Sequence, residues 1–233
     1  TGEMTGLLRW PTPPKDFEMP VATTSKDFPL QLTLQATSVD KYVVRHLAGL
    51  ESIGAADRVA AMLASHPDLP FEAGSVANSK LALEHFLLLN VGPFPSLYES
   101  LASFHEYRSD TDSALITMEK YAGCFLGWSR AHARHARMLT RLGRAPEARD
   151  AARFALQLPL WTLGDDLVAV AKLAGYEDDN SLPKIYARLA TDERPDEVKD
   201  GKSPAQVALD RAAYVLDRHV ALASVAAAAA AGE

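Results

Sequence analysis

"RLGRAPEARDAARFALQLP", residues 141–159, decides how this chain folds. Gly143 follows Leu142 and Pro146 comes soon after, so one helix stops and another starts within a few residues. Ala148 and Ala155 fall on one face of the second helix, where small side chains let a neighbouring helix approach closely. The stretch is therefore the turn and second arm of a helical hairpin.

The first arm is "SRAHARHARMLTRLGR", residues 129–144. Arg130, Arg134, Arg137 and Arg141 are spaced +4, +3, +4, which places them on one helix face. From Ser129 to Leu158 there are seven arginines against two acids, Glu147 and Asp150, in a chain of formal net charge −6. Two histidines, His132 and His135, share the same helix. A zinc site needs three or four ligands, and no cysteine pair or Glu-rich helix accompanies them, so packing between helices is the expected role.

Moving outward, residues 95–128 and 129–162 align without a gap at 34 residues. Ala102 falls on Ala136, Phe104 on Met138, Ser109 on Gly143 and Ala114 on Ala148. Together with "YESLA", which sets Tyr98, Leu101 and Ala102 at large, large and small positions, this register resembles the tetratricopeptide repeat. The second copy departs from it, with His132 and His135 at positions of large apolar residues and Pro159 one residue early. Residues 61–94 do not continue the period. In such repeats the first helix lines a concave groove, so the resemblance implies that the four arginines border it. There they would bind an acidic peptide segment or carboxylate of a partner, which arginine can grip with two parallel hydrogen bonds. A merely solvated face is the competing reading.

Elsewhere the spacing of apolar residues predicts helices near 38–49, 54–65, 75–90, 95–109, 112–124, 129–142, 146–158, 165–174, 181–190 and 203–219. Asp165 is the expected cap of the helix that Gly175 ends. Pro11, Pro13, Pro14 and Pro20 make residues 1–37 an extended, proline-rich arm. Trp10, Phe17 and Phe28 along it are candidate anchors, either on the chain's own body or on a partner. "PLQLTLQA", residues 29–36, alternates as a half-buried strand would, but no second strand is evident to pair with it. The expected organisation is an all-α, helical-hairpin domain over 38–219, preceded by the arm and followed by an Ala-rich tail over 220–233.

No run of 18 apolar residues exists, which leaves no membrane-spanning helix. The single cysteine, Cys124, makes no internal disulfide. "GKS" at 201–203 lacks the glycine a phosphate-binding loop needs at residue 196 and has no preceding strand. Nucleophile-elbow, zinc-protease and dinucleotide motifs are missing, so neither catalysis nor a cofactor is expected. The basic run has no aromatic interleaving, which disfavours nucleic acid.

"LLRWPTPP" at the front and "GKSPAQVALDRAAYVLD" near the end, with the two degenerate repeats between, resemble tetratricopeptide-like proteins of plant and green-algal chloroplasts. That resemblance implies a non-catalytic, thylakoid-associated protein-binding factor whose targeting peptide has been removed before Thr1. It implies a role in assembly, repair or stabilisation of a photosynthetic complex, with photosystem II as first choice. A permanent subunit of a large organellar complex and an organellar RNA-binding repeat are the alternatives.

Overall fold

The computed structural model describes residues 2–9, 18–27, 31–176, 183–185 and 188. Trp10, Phe17 and Phe28, the expected helix over 203–219, most of 181–190 and the tail over 220–233 lie outside the described residues.

The arm is not a lone extended segment. It forms a three-stranded antiparallel sheet in the order β1 (Glu3–Leu7), β2 (Val21–Ser25), β3 (Thr33–Ala36). Gly6 faces Ala22 and Ala22 faces Leu34, with a bulge between Val21 and Ala22. The strand expected around Leu32 and Leu34 thus has its partner in β2. Val and Thr favour the pleated conformation there, and the Thr5 and Thr23 hydroxyls lie 3.1 Å apart across the strands. An all-α description therefore holds for the described residues after 38, not for the arm.

The remaining elements are helices: α1 (Val39–Ser52), α2 (Ala56–Ser65), α3 (Ser75–Ser79), α4 (Leu83–Asn90), α5 (Pro95–Tyr107), α6 (Thr111–Cys124), α7 (Ser129–Arg141), α8 (Ala145–Gln157) and α9 (Leu167–Leu173). A 3-10 turn, Leu160–Thr162, precedes α9. The single helix expected over 75–90 is two helices, because Lys80 adopts a left-handed conformation (φ 56°) and stops the first. Its break is held by the Ser79 hydroxyl, which donates to the Val76 carbonyl and accepts from the Leu81 N–H. Asp166, not Asp165, caps α9, accepting from the Val168 N–H.

Among the described residues three larger apolar cores follow one another along the chain. The first joins α1 to α4 with Phe94 and Leu97. The second sets Ala22 and Leu34 of the sheet against Tyr98, Tyr121, Phe125 and Trp128. The third packs α7, α8 and α9 through Ala133, Ala136, Ala152, Ala155 and Val170, all fully buried. Such a succession of neighbouring cores is how a stacked helical array distributes its burial.

The α5–α6 and α7–α8 hairpins begin 34 residues apart, Pro95 against Ser129 and Thr111 against Ala145. Their turns match in conformation: Ser109 has φ 58° and Gly143 φ 74°. The predicted small contacts are buried in both, Ala102 and Ala114 in one, Ala136 and Ala148 in the other. The next register pair diverges, since Met138 is buried and Phe104 is exposed.

Candidate functional site

The arginine face of α7 is where the sequence concentrates charge, and each of its four members has a distinct environment. Arg130 grips Glu99 of α5 with two hydrogen bonds, Nε to Oε1 at 2.7 Å and Nη2 to Oε2 at 2.8 Å. Its remaining nitrogen, Nη1, donates to the Gly164 carbonyl at 2.8 Å. Gly164 (φ 54°) is required there: a Cβ would come within 3.0 Å of Arg130 Nη1. The Tyr121 hydroxyl of α6 also donates to Glu99, at 3.0 Å. Burial by itself raises the Glu99 carboxyl, but the hydrogen bonds and charge of Arg130, with Tyr121 and Arg134 adding, outweigh it and hold the group below its ordinary value. Burial first, then the Glu99 charge, push the Tyr121 phenol well above its usual range.

Arg137 makes the same two-pronged contact with Asp165, at 2.7 and 2.6 Å, pinning the loop before α9 to α7. Arg141 reaches Glu106 through one nitrogen at 2.6 Å and stays half exposed. Arg134 is also half exposed and approaches Glu99 only to 3.9 Å. The spacing of the arginines brings all four to one face, as expected, yet Arg130 and Arg137 are already engaged by the chain's own carboxylates. Glu99, Glu106 and Asp165 are the residues that sequence reasoning missed. Glu99 and Glu106 are two turns apart on one face of α5, as Arg134 and Arg141 are on α7, and that matched spacing was the available signal.

His132 is buried, with its ring 4.5 Å from Phe154 of α8 and Nε2 3.2 Å from the Leu126 carbonyl oxygen. Burial lowers it to about 4, partly offset by the carbonyl contact. His135 is half-buried and burial lowers it too. His132 thus packs between the two helices of the second hairpin. Among the described residues no three His, Cys, Asp or Glu side chains cluster as metal ligands would. Cys124 is half-buried, with its Sγ 3.4 Å from the Tyr98 hydroxyl.

A second basic feature adjoins the stripe. Arg137 and Arg141 of α7, Arg149 of α8 and Lys172 of α9 border an open groove of about 550 Å³, with Ala145, Ala169 and Leu173 among its apolar lining.

This architecture has counterparts among known sequences. Residues 1–90 match the PAB N-terminal domain, residues 95–177 the PAB middle domain and residues 182–225 the PAB C-terminal domain. All three PAB segments are matched here, in order. The PAB middle match opens at the first residue of α5 and carries both hairpins, α9 and the whole arginine face. The chain is also 36% identical over 220 residues to the Arabidopsis thaliana "Protein IN CHLOROPLAST ATPASE BIOGENESIS, chloroplastic". That alignment takes in 93% of this chain and 65% of the relative, so the chain spans about two thirds of the length of the protein it matches. No solved structure matches it.

Proposed function

We propose that this chain is a non-catalytic chloroplast assembly factor that acts in biogenesis of the chloroplast ATPase. The observation that carries this reading is the alignment with the Arabidopsis ATPase-biogenesis protein along nearly the whole chain, supported by the succession of PAB segments. The relative's name points to the ATPase, and photosystem II has no comparable support. The fold fits a docking role. Two helical hairpins offset by 34 residues, read as degenerate tetratricopeptide-like units, present a charged helix face whose unshared donors, chiefly on Arg134 and Arg141, bind acidic protein segments. No helix among the described residues is long and apolar enough to cross a membrane.

Disrupting the gene in the native host tests the reading. Assembled ATPase should fall while photosystem II holds, and the tagged chain should co-purify with free ATPase subunits but not with the finished enzyme. Co-purification with the finished enzyme at fixed stoichiometry would make it a permanent subunit instead. RNA in the purified fraction, released steeply by salt, would make it an RNA-binding repeat.

A further inference from the structure

We infer that the groove between the second hairpin and α9 is a binding site for an acidic protein segment in which carboxylates flank an apolar side chain. The inference deepens the docking reading above but does not depend on which complex is served.

Four cations from three successive helices surround this groove: Arg137, Arg141, Arg149 and Lys172, and among the described residues no acidic side chain lines it. Arg137 and Arg141 reach the carboxylates of Asp165 and Glu106. Arg149 and Lys172 are exposed, and among the described residues neither has an ion-pair partner. Like charges gathered around one concavity repel one another, and in a chain of net charge −6 the general background does not require them. An anion bound between them reverses the sign of that energy.

The position of Arg149 is built by the backbone. Gly175, at φ +85°, lies beneath it: a Cβ there would sit 3.3 Å from Nε and 3.6 Å from Cδ of Arg149. Glycine thus serves both the left-handed turn that ends α9 and the space the arginine side chain occupies. The groove's apolar lining decides the ligand class. Ala145, Ala169 and Leu173 offer accessible methyl groups beside the cations, which suits an apolar side chain and wastes a bare phosphate. Among the described residues no aromatic side chain lines the groove, so these residues give the bases of a single-stranded nucleic acid nothing to stack on. An acidic peptide with an apolar anchor satisfies both surfaces, and the charges steer its approach.

The test uses the full chain and a fluorescein-labelled synthetic peptide in which glutamates flank leucines, read by anisotropy at low and high salt. Polyglutamate of equal charge, the same peptide with Gln for Glu, and an oligouridine are the comparison ligands. The glutamate–leucine peptide should bind best, and salt should weaken it. R149Q/K172Q should lower its affinity by about tenfold or more, Gly175→Ala should lower it several-fold by displacing Arg149, and Arg58→Gln on the exposed face of α2 should leave it unchanged. Equal binding to the double variant overturns the inference, as does tighter binding of polyglutamate or oligouridine. A lowered melting temperature in R149Q/K172Q with unchanged peptide affinity also overturns it, since the cations then serve the chain's own fold. Should the peptide fail while the tagged chain still captures ATPase subunits, the groove is refuted and the assembly role stands.

Discussion

The two hairpins share their element starts and their left-handed turn, yet they are stabilised by different means. The α5–α6 hairpin closes on aromatic rings: Tyr98 stacks on Tyr121 at 5.8 Å, and Phe125 meets Tyr121 edge-on at 5.5 Å. The α7–α8 hairpin closes on alanines, with Ala133, Ala136, Ala152 and Ala155 fully buried. Its buried polar joints are short, the Ser129 hydroxyl donating to the Ala155 carbonyl at 2.6 Å and the Ser129 N–H to the Thr162 hydroxyl at 3.0 Å. Their outer faces are of opposite charge, with Glu99 and Glu106 on α5 opposing the arginines on α7. A repeat register therefore conserves where helices begin and turn, while the chemistry of each contact is free to differ. In this pair the difference itself is the joint, because an acidic unit and a basic unit hold each other.

The sharpest way to break that joint is at Glu99. Glu99→Ala leaves Arg130 and the Tyr121 hydroxyl without their acceptor. Both partners of the ion pair are 24% exposed, so the loss should be about 2–3 kcal/mol rather than the 3–5 of a fully buried pair. Urea unfolding reads it, and a change under about 0.5 kcal/mol would mean the hairpins do not depend on this contact. Acid should next separate the two units. Above its ordinary value of 6.5, His132 is neutral in both folded and unfolded chains and costs nothing. As pH falls from 6.5 toward about 4, the unfolded chain takes up a proton that the folded chain refuses, so stability drops, on the order of 3 kcal/mol. Comparing His132→Gln with the parent across that window isolates the effect: the variant's stability should change less with pH, and parallel curves would refute it.

A smaller effect should equalise the turns. Ser109→Gly should stabilise the first turn by roughly 0.5–1 kcal/mol, and Gly143→Ser should cost the second about as much, in thermal melts. The least effect is expected at the outer rung. Arg141 and Glu106 are 56% and 36% exposed, so a double-mutant cycle between them should return about 0.5 kcal/mol or less, shrinking further in salt.

What was readable in the sequence follows the range of the interaction. Gly143 and Pro146 mark the second hairpin because stop and start signals are local, and the arginine face follows from helical spacing alone. Lys80 shows the limit: a lysine in a left-handed turn has no local signature, so the break between α3 and α4 was hidden. The sheet was half legible. Leu32 and Leu34 alternate, but β1 is exposed along all five residues and shows no burial pattern to read. The carboxylate partners were hidden for a related reason, since Glu99 meets Arg130 from 31 residues away and Asp165 meets Arg137 from 28. Asp165 also stands beside the true cap, Asp166, which is one residue too close for spacing to separate.

The strand leading into β3 carries one contact whose timing matters. The Leu32 N–H donates to the Trp161 carbonyl at 2.7 Å, and Trp161 meets Trp128 edge-on at 6.1 Å. Every hairpin here can close from neighbours already at hand as the chain leaves the ribosome. This clasp cannot, because its two halves are separated by all the helices from α1 to α8. The segment before β3 must therefore wait for Trp161 before this clasp can form, although Ala22 and Leu34 meet their cover earlier, in Tyr98, Tyr121, Phe125 and Trp128. Folding should show fast local helix formation followed by one slower closure, set by the loop that joins residues 32 and 161. Until residues 98–128 are made, Ala22 of β2 and Leu34 of β3 are apolar surface a chaperone would have to shield.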